Sequence, residues 1–128
     1  MVNGNNEILV VEDDEDLLSL ITKKLTVEGF KVMAAATGQQ ALDYLAKQKP
    51  ALVLLDILLP DIDGLSILNE IATQPKTKDL PVIILSNVAD QGSIEQASAI
   101  GQYEYLVKTK TDLNEVVKKI KEKLNIKS

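Results

Sequence analysis

The chain has 128 residues, enough for one domain with a sizeable hydrophobic core and too few for two. It contains no cysteine and no histidine, which excludes a disulfide framework, a thiolate nucleophile, Ser-His-Asp catalysis, ordinary zinc sites and a role as phosphohistidine donor. The net charge is −5 and every basic residue is a lysine, a balance that argues against direct binding of nucleic acid.

Short apolar runs alternate with segments of helical spacing along the whole chain. The first half predicts a strand at 8–11 that stops at an acidic cluster, followed by a helix with an apolar stripe from Leu17 to Leu25 that ends at Gly29. A strand at 30–36, a short helix from Thr37 that stops before Pro50 and a strand at 51–55 come next. A helix at about 65–72 that buries Leu65, Leu68 and Ile71 precedes a polar loop at 74–79. The second half predicts a strand at 82–85, a helix carrying Ile94, Ala97 and Ile100, a strand at 103–107 and a last helix with apolar residues from Leu113 to Leu124. This alternation predicts right-handed βαβ crossovers and a doubly wound α/β domain, with a five-stranded parallel sheet of flavodoxin-like order 2-1-3-4-5 and helices on both faces.

The stretch from Ala51 to Gly64, ALVLLDILLPDIDG, is an apolar run interrupted by one carboxylate, Asp56. An unpaired charge inside a buried strand would be costly, so we expect the strand to end at Leu55 and Asp56 to lie in the crevice beyond it. Pro60 and the turn pair before the next helix support that end. The alternative interpretation is that Asp56 only caps a loop.

Polar side chains stand at the carboxyl ends of four predicted strands. They are Glu12 and Asp13 after the first, Asp56 after the third, Ser86 after the fourth and Lys108 after the fifth. If the first, third and fourth strands are neighbours, three carboxylates and a hydroxyl meet in one crevice, and such carboxylates repel one another unless a cation neutralises them. Mg²⁺ suits this set because it takes one or two carboxylates and leaves positions open for water and phosphate oxygens.

Each of these residues also has a purely structural interpretation. The acids Asp14, Glu15 and Asp16 are interpreted as caps and dipole partners of the first helix. Ser86 alone could be a helix cap, and Lys108 alone could be a solvated loop lysine. The coincidence of all five positions at strand ends nevertheless favours a site.

Four motifs together resemble the response-regulator receiver domain of two-component signalling. They are ILVVEDDEDL, LVLLDILLPDIDG, PVIILSN and YEYLVKT, and their order and spacing follow that family from Glu7 to about Leu124. The resemblance implies one receiver domain over residues 1–128, with its core at about 7–124 and without an effector domain. It also implies a phosphoacceptor signalling module and not an enzyme.

The resemblance also assigns roles in an Mg²⁺ site. Asp56 would accept a phosphoryl group from a phosphohistidine on a sensor histidine kinase or a phosphotransfer protein. Asp13, Asp56 and the backbone carbonyl of Leu58 would bind Mg²⁺, and Glu12 would act through a water. Lys108 would contact the phosphoryl group.

The same resemblance implies a conformational switch. Ser86 would move toward the phosphoryl group and Tyr105 would change rotamer with it, which would alter the face formed by the fourth helix, fifth strand and fifth helix. That face would bind an unknown downstream protein, with the chain a monomer or a phosphorylation-dependent dimer. The polar N-terminus and the lack of a membrane-length apolar run predict a soluble, cytoplasmic protein without membrane contact.

Four positions depart from the usual family pattern and modulate the site. Thr109 replaces the proline that usually follows the lysine, so we expect a trans peptide and a rearranged loop, because a cis bond to a non-proline residue costs about 2.5–4 kcal/mol. Asn87 is larger than the usual residue after the switch hydroxyl and either narrows access to Asp56 or adds a hydrogen bond. Leu58 and Val88 are apolar where the family often positions the hydrolytic water, which predicts slow self-dephosphorylation.

Other functions remain to be weighed against this one. The main alternative is a receiver-like module that binds partners constitutively without phosphorylation. The segment 108–128 is basic, which is interpreted as a solvated helix face or, alternatively, as a docking surface for an acidic partner. A haloacid dehalogenase-type phosphatase is rejected because Leu58 stands where the second acid is needed, and a calcium loop is rejected because Leu59 stands at the first ligand position. A flavin-binding protein of the same topology would need a turn rich in serine, threonine and glycine to bind phosphate. The turns after the first and third strands are acidic instead.

Overall fold

The protein contains one five-stranded parallel sheet with the strand order β2-β1-β3-β4-β5. The structure is a computed structural model that describes residues 6–87, 91–101 and 103–126. The strands are β1 Glu7–Val11, β2 Lys31–Ala35, β3 Leu52–Leu55, β4 Val82–Ser86 and β5 Glu104–Val107. The predicted fold class and strand order are confirmed.

Helices connect the strands in strict alternation. They are α1 Glu15–Val27, α2 Gly38–Lys47, α3 Gly64–Thr73, α4 Gln91–Ile100 and α5 Leu113–Lys123, with a short 3-10 turn at Lys108–Lys110 between β5 and α5. In the part of the chain described, no helix combines the length and apolar character that a membrane crossing requires.

Both faces of the sheet are covered, and the side chains of each central strand alternate between two cores. Leu55 and Ile84 face a core completed by α2, α3 and α4. Leu54 and Ile83 face a second core completed by α1 and α5. This is why β1, β3 and β4 consist of nearly continuous apolar runs, since a strand buried on both faces has no solvent side.

Local sequence signals fix where the helices begin and end. Asp14 caps α1 by accepting hydrogen bonds from the backbone N–H groups of Asp16 (3.0 Å) and Leu17 (3.2 Å), which confirms its interpretation as a cap. At the other end of α1, Gly29 adopts φ +96°, the left-handed conformation that favours glycine after a helix.

Two local expectations need correction. Leu65 is only partly buried, and Ile67, which is 1% exposed, fills the core position on α3. The strand β4 extends one residue further than expected, so that Ser86 is its last residue and is fully buried. The pairing of Ser86 with Val107 of β5 accounts for this extension.

Candidate functional site

An acidic crevice lies at the carboxyl edge of the sheet, where β1 and β3 end side by side. Glu12 and Asp13 directly follow β1, and Asp56 directly follows β3. One carboxylate oxygen from each of the three lies within 4.8 Å of the others. Glu12 is 2% exposed and Asp56 4% exposed, whereas Asp13 is exposed to solvent. The sequence-predicted carboxylates are therefore brought together.

Lys108 reaches the two buried carboxylates from the end of β5. Its Nζ lies 2.6 Å from Glu12 Oε1 and donates a hydrogen bond to Asp56 Oδ2 at 2.7 Å. The peptide bonds of the described residues are all trans, which confirms the trans prediction for the bond to Thr109. The chain then turns through the 3-10 segment, and this turn leaves Lys108 within reach of both acids.

The pKa values of the pair reflect burial together with close charge. Burial lowers the pKa of Lys108, but the hydrogen bonds and charges of Asp56 and Glu12 outweigh burial and leave the pKa raised above its usual value. Burial raises the pKa of Glu12, and the hydrogen bond from Lys108 partly opposes that rise. Lys108 is thus a firmly charged counter-ion to the buried acids.

Backbone N–H groups fix the second oxygen of each buried carboxylate. Leu58 N–H donates to Asp56 Oδ1 at 3.1 Å, and Asp14 N–H donates to Glu12 Oε2 at 3.1 Å. Among the described residues, no buried side-chain nitrogen or oxygen lacks a hydrogen-bond partner. The two carboxylates are therefore held in fixed orientations by groups on separate elements.

The loop between β3 and α3 folds tightly against the backbone of Asp56. Gly64 N–H donates to Ile57 O at 2.8 Å, and a Cβ added to Gly64 would lie 2.5 Å from Asp56 O and 2.4 Å from Ile57 Cα. A side chain at position 64 is incompatible with that approach. The glycine that follows Asp63 therefore allows the loop to close beside the phosphoacceptor candidate.

Asp61 makes a contact that was not predicted from the sequence. Its carboxylate accepts hydrogen bonds from the N–H groups of Gly38 (2.8 Å) and Gln39 (2.9 Å), the first two residues of α2. Asp63 instead caps α3 through Leu65 N–H at 3.0 Å. Asp61 and Asp63 therefore each bind backbone N–H groups at the N-terminus of a helix.

The remaining predicted residues lie on or directly after β4 and β5, or in the loop after β3. Ser86 is fully buried at the end of β4, and Tyr105 lies in β5 partly buried against the α2–α3–α4 core. Asn87 and Thr109 are exposed at the ends of β4 and β5, and Leu58 is 62% exposed in the β3–α3 loop. Val88 lies outside the described residues.

The donor set fits Mg²⁺ better than a softer metal. The cluster offers carboxylate oxygens, with neither thiolate nor imidazole in the chain, and hard divalent cations prefer oxygen ligands. The exposed carboxylate of Asp13 gives the cluster an open side where water and a phosphate oxygen have access.

Comparison with known protein families and relatives agrees with this arrangement. Residues 8–121 match the family model of the response regulator receiver domain. Sporulation initiation phosphotransferase F of Bacillus subtilis is 32% identical over 97% of this chain and 98% of that protein. Other relatives are longer: the probable transcriptional regulator ycf27 of Porphyra purpurea is 32% identical over 84% of this chain, which spans 43% of that protein.

Solved structures show the same fold. A receiver domain protein from Methanospirillum hungatei superposes with a TM-score of 0.88 at 28% identity, covering 95% of both chains. The receiver domain of the sensor histidine kinase PA1611 from Pseudomonas aeruginosa gives a TM-score of 0.85 at 30% identity, covering 95% of this chain and 99% of that one. That structure has a magnesium ion coordinated in its active site cleft.

Proposed function

Because the chain belongs to the response regulator receiver domain family of two-component signalling, we propose that Asp56 is its phosphoacceptor. The donor is the phosphohistidine of a sensor histidine kinase or a phosphotransfer protein, and the reaction depends on Mg²⁺. The observation that carries the proposal is the buried carboxylate of Asp56, hydrogen-bonded to Lys108 at 2.7 Å beside two further acids.

The transfer itself follows from the chemistry of these groups. An oxygen of the Asp56 carboxylate attacks phosphorus, the phosphorus–nitrogen bond of the phosphohistidine breaks, and an acyl phosphate forms. The donor imidazole leaves with the electron pair of that bond. Such transfers depend mainly on positioning and charge neutralisation, and the Lys108 ammonium supplies a positive charge at the carboxylate.

The metal would be held by oxygen ligands at the carboxyl ends of β1 and β3. We assign direct ligation to Asp13, Asp56 and the backbone carbonyl of Leu58, and assign Glu12 to contact through a water. When bound, Mg²⁺ neutralises negative charge on the phosphoryl oxygens. Lys108 then contacts the phosphoryl group. Its ion pairs with Glu12 and Asp56 support this role, because they bring its ammonium group to the carboxylate that would carry the phosphoryl group.

Phosphorylation then changes a protein-binding face. The hydroxyl of Ser86 donates a hydrogen bond to the new phosphoryl oxygen, and Tyr105 changes rotamer with it. Ser86 lies on β4 and Tyr105 on β5, the two strands that α4 connects, so the change reaches the face formed by α4, β5 and α5. This face binds a downstream protein, and the chain is either a monomer or a phosphorylation-dependent dimer.

The proposal is tested by intact mass after incubation with Mg²⁺ and acetyl phosphate, for the parent and for Asp56→Asn. We expect one added phosphoryl group in the parent and none in the variant. Omission of Mg²⁺ should abolish the adduct as well. An adduct of equal yield on Asp56→Asn would contradict the assignment of the acceptor.

The second candidate is a receiver-like module that binds partners constitutively. It is favoured by one observation, that Lys108 pairs with Glu12 and Asp56 at 2.6 and 2.7 Å, an arrangement that neutralises charge on the two buried acids without a metal ion. A parent protein that neither binds Mg²⁺ nor gains a phosphoryl group would make this the better description.

A further inference from the structure

The β3–α3 loop, residues 56–63, is anchored at both of its ends. At its start, Leu58 N–H donates to Asp56 Oδ1 at 3.1 Å. At its end, Gly64 N–H donates to Ile57 O at 2.8 Å. Between these anchors the loop protrudes, with Leu58 62% exposed and Pro60 and Asp61 also exposed.

The protruding part is open on one side. A cavity of about 410 Å³ separates it from α4, with Leu58 and Asp61 on the loop side and Ser93 and Gln96 on the α4 side. The cavity leaves this part of the loop little packing against α4, so it is held by Leu59 and Ile62, which pack against the α2–α3–α4 core, and by contacts on the side where α2 begins.

Asp61 supplies a polar restraint on that side. Its two carboxylate oxygens accept separate hydrogen bonds, Oδ1 from Gly38 N–H at 2.8 Å and Oδ2 from Gln39 N–H at 2.9 Å. Those N–H groups lower the pKa of Asp61, so the carboxylate stays charged at neutral pH. A charged carboxylate at a helix N-terminus is also favoured by the helix dipole.

Close packing accompanies the polar contact. A Cβ added to Gly38 would lie 2.8 Å from Ile62 Cβ and 3.0 Å from Ile67 Cδ1, so the absence of a side chain at Gly38 lets the loop approach α2. Ile62 follows Asp61 directly, and the two residues together hold the loop against the first turn of α2.

We propose that Asp61 is a positioning residue of the phosphoacceptor site, which fixes the β3–α3 loop so that the Leu58 carbonyl is available to Mg²⁺. The proposal rests on the proposed function, in which that carbonyl is a metal ligand. It makes the N-terminus of α2 part of the support of the metal site, although neither Gly38 nor Gln39 belongs to the site itself.

The test is calorimetric titration of the intact protein with Mg²⁺. Asp61→Asn removes the charge and one of the two strong acceptors, and we expect the Kd for Mg²⁺ to rise about tenfold, the lower end of what loss of a supporting residue costs a metal site. Gly38→Ala leaves Asp61 intact but forces the loop away from α2, and we expect a rise of similar size. Phosphorylation by acetyl phosphate should slow at limiting Mg²⁺ and recover at saturating Mg²⁺.

Two matched controls separate positioning from charge and from side-chain chemistry. Asp63→Asn removes the same charge from the same loop but keeps a good helix cap, so its Kd should change less than about threefold. Gln39→Ala removes a side chain and keeps the N–H that Asp61 binds, so it should bind Mg²⁺ as the parent does. Circular dichroism spectra confirm that each variant is folded.

Each outcome decides the question. If the parent binds Mg²⁺ and Asp61→Asn and Gly38→Ala match Asp63→Asn, the positioning role of Asp61 is wrong while the proposed function stands. A tenfold rise in Asp61→Asn with no change in Gly38→Ala would assign the effect to charge and also overturn positioning. If the parent itself binds no Mg²⁺, the proposed function and the positioning role are both wrong.

Discussion

Leu58 combines three properties at the residue scale: its N–H orients Asp56, its carbonyl is a proposed metal ligand, and its side chain is exposed. Leu58 is 62% exposed in the β3–α3 loop, two residues after the proposed phosphoacceptor Asp56. An apolar group there has no hydrogen-bonding atom with which to orient an attacking water. The phosphoryl group on Asp56 should therefore be lost slowly.

Replacing Leu58 by Asn tests this expectation. The amide group can orient a water without changing the net charge, and we expect dephosphorylation to become about tenfold faster, in line with the rate gains that positioning of reactants provides. Leu20→Asn makes the same substitution at an exposed leucine on α1 and should leave the rate of dephosphorylation unchanged. The measurement is the decay of the phosphorylated mass at neutral pH with Mg²⁺, and loss from the parent within seconds would contradict slow self-dephosphorylation.

Lys108 shows what the sequence could and could not predict about single residues. Its position after β5, like those of Glu12, Asp13 and Asp56, could be predicted because parallel strands end at a common edge. That its ammonium bridges Glu12 and Asp56 depends on rotamers and on the course of the 3-10 turn, which no periodicity encodes. The contact between Asp61 and α2 was missed for the same reason, since it joins residues 22 and 23 positions apart.

At the element scale, an ion pair connects the C-terminal ends of α1 and α5. Lys121 donates a hydrogen bond to Glu28 Oε1 at 2.9 Å, and Lys24 lies 3.6 Å from the other oxygen. The hydrogen bond and charge of Lys121 lower the pKa of Glu28 below its usual value. The pair joins the residue that follows α1 to the last turn of α5. Because folding lowers the pKa of Glu28, the contribution of the pair to stability should depend on pH.

Glu28→Gln tests this link. A carboxyl group whose pKa is lowered on folding stabilises the protein above its unfolded pKa, and that contribution is lost as the pH falls through the folded pKa. We therefore expect Glu28→Gln to lower the melting temperature by about 2 °C at neutral pH and to have no effect at a pH well below the lowered pKa of Glu28 in the folded protein. Thermal unfolding followed by circular dichroism gives both values.

A double-mutant cycle with Lys121→Gln assigns the effect to the pair. If the two groups act together, the double variant should melt close to either single variant at neutral pH. Additive losses would show that Glu28 and Lys121 act separately, and a pH-independent loss in Glu28→Gln would show that its charge is not involved.

The elements themselves were predicted closely because their signals are local. Each strand is an apolar run bounded by polar or turn residues, and no observed strand end differs from the prediction by more than one residue. Helix α3 was correctly located and Leu68 and Ile71 are buried as predicted, but Ile67 is buried in place of Leu65, because both are apolar and only the packing against the core chooses between them. The 3-10 turn was missed because three polar residues carry no apolar pattern.

On the scale of the whole molecule, the sheet separates two cores, and the tyrosines lie against only one of them. The chain has three tyrosines and no tryptophan, and Tyr44, Tyr103 and Tyr105 all pack against the α2–α3–α4 core. The core under α1 and α5 contains no tyrosine among the described residues that form it. Tyrosine fluorescence therefore reports on one side of the sheet, whereas circular dichroism at helical wavelengths reports on both.

Ile120→Ala tests whether the two cores unfold together. Ile120 is fully buried on the inner face of α5, and truncating its side chain to that of alanine should lower the free energy of unfolding by about 3 kcal/mol. The two cores lie on opposite faces of the same strands β1, β3 and β4, so loss of one should remove the support of the other and unfolding should be two-state. In urea, tyrosine fluorescence and circular dichroism should then shift to the same lower midpoint, although the substitution lies across the sheet from every tyrosine.

Ile71→Ala, at a buried site on the tyrosine side, is the matched control and should also move both midpoints together. A fluorescence midpoint that moves for Ile71→Ala and stays in place for Ile120→Ala would contradict this, and would mean that α1 and α5 can detach while the core next to the tyrosines remains folded.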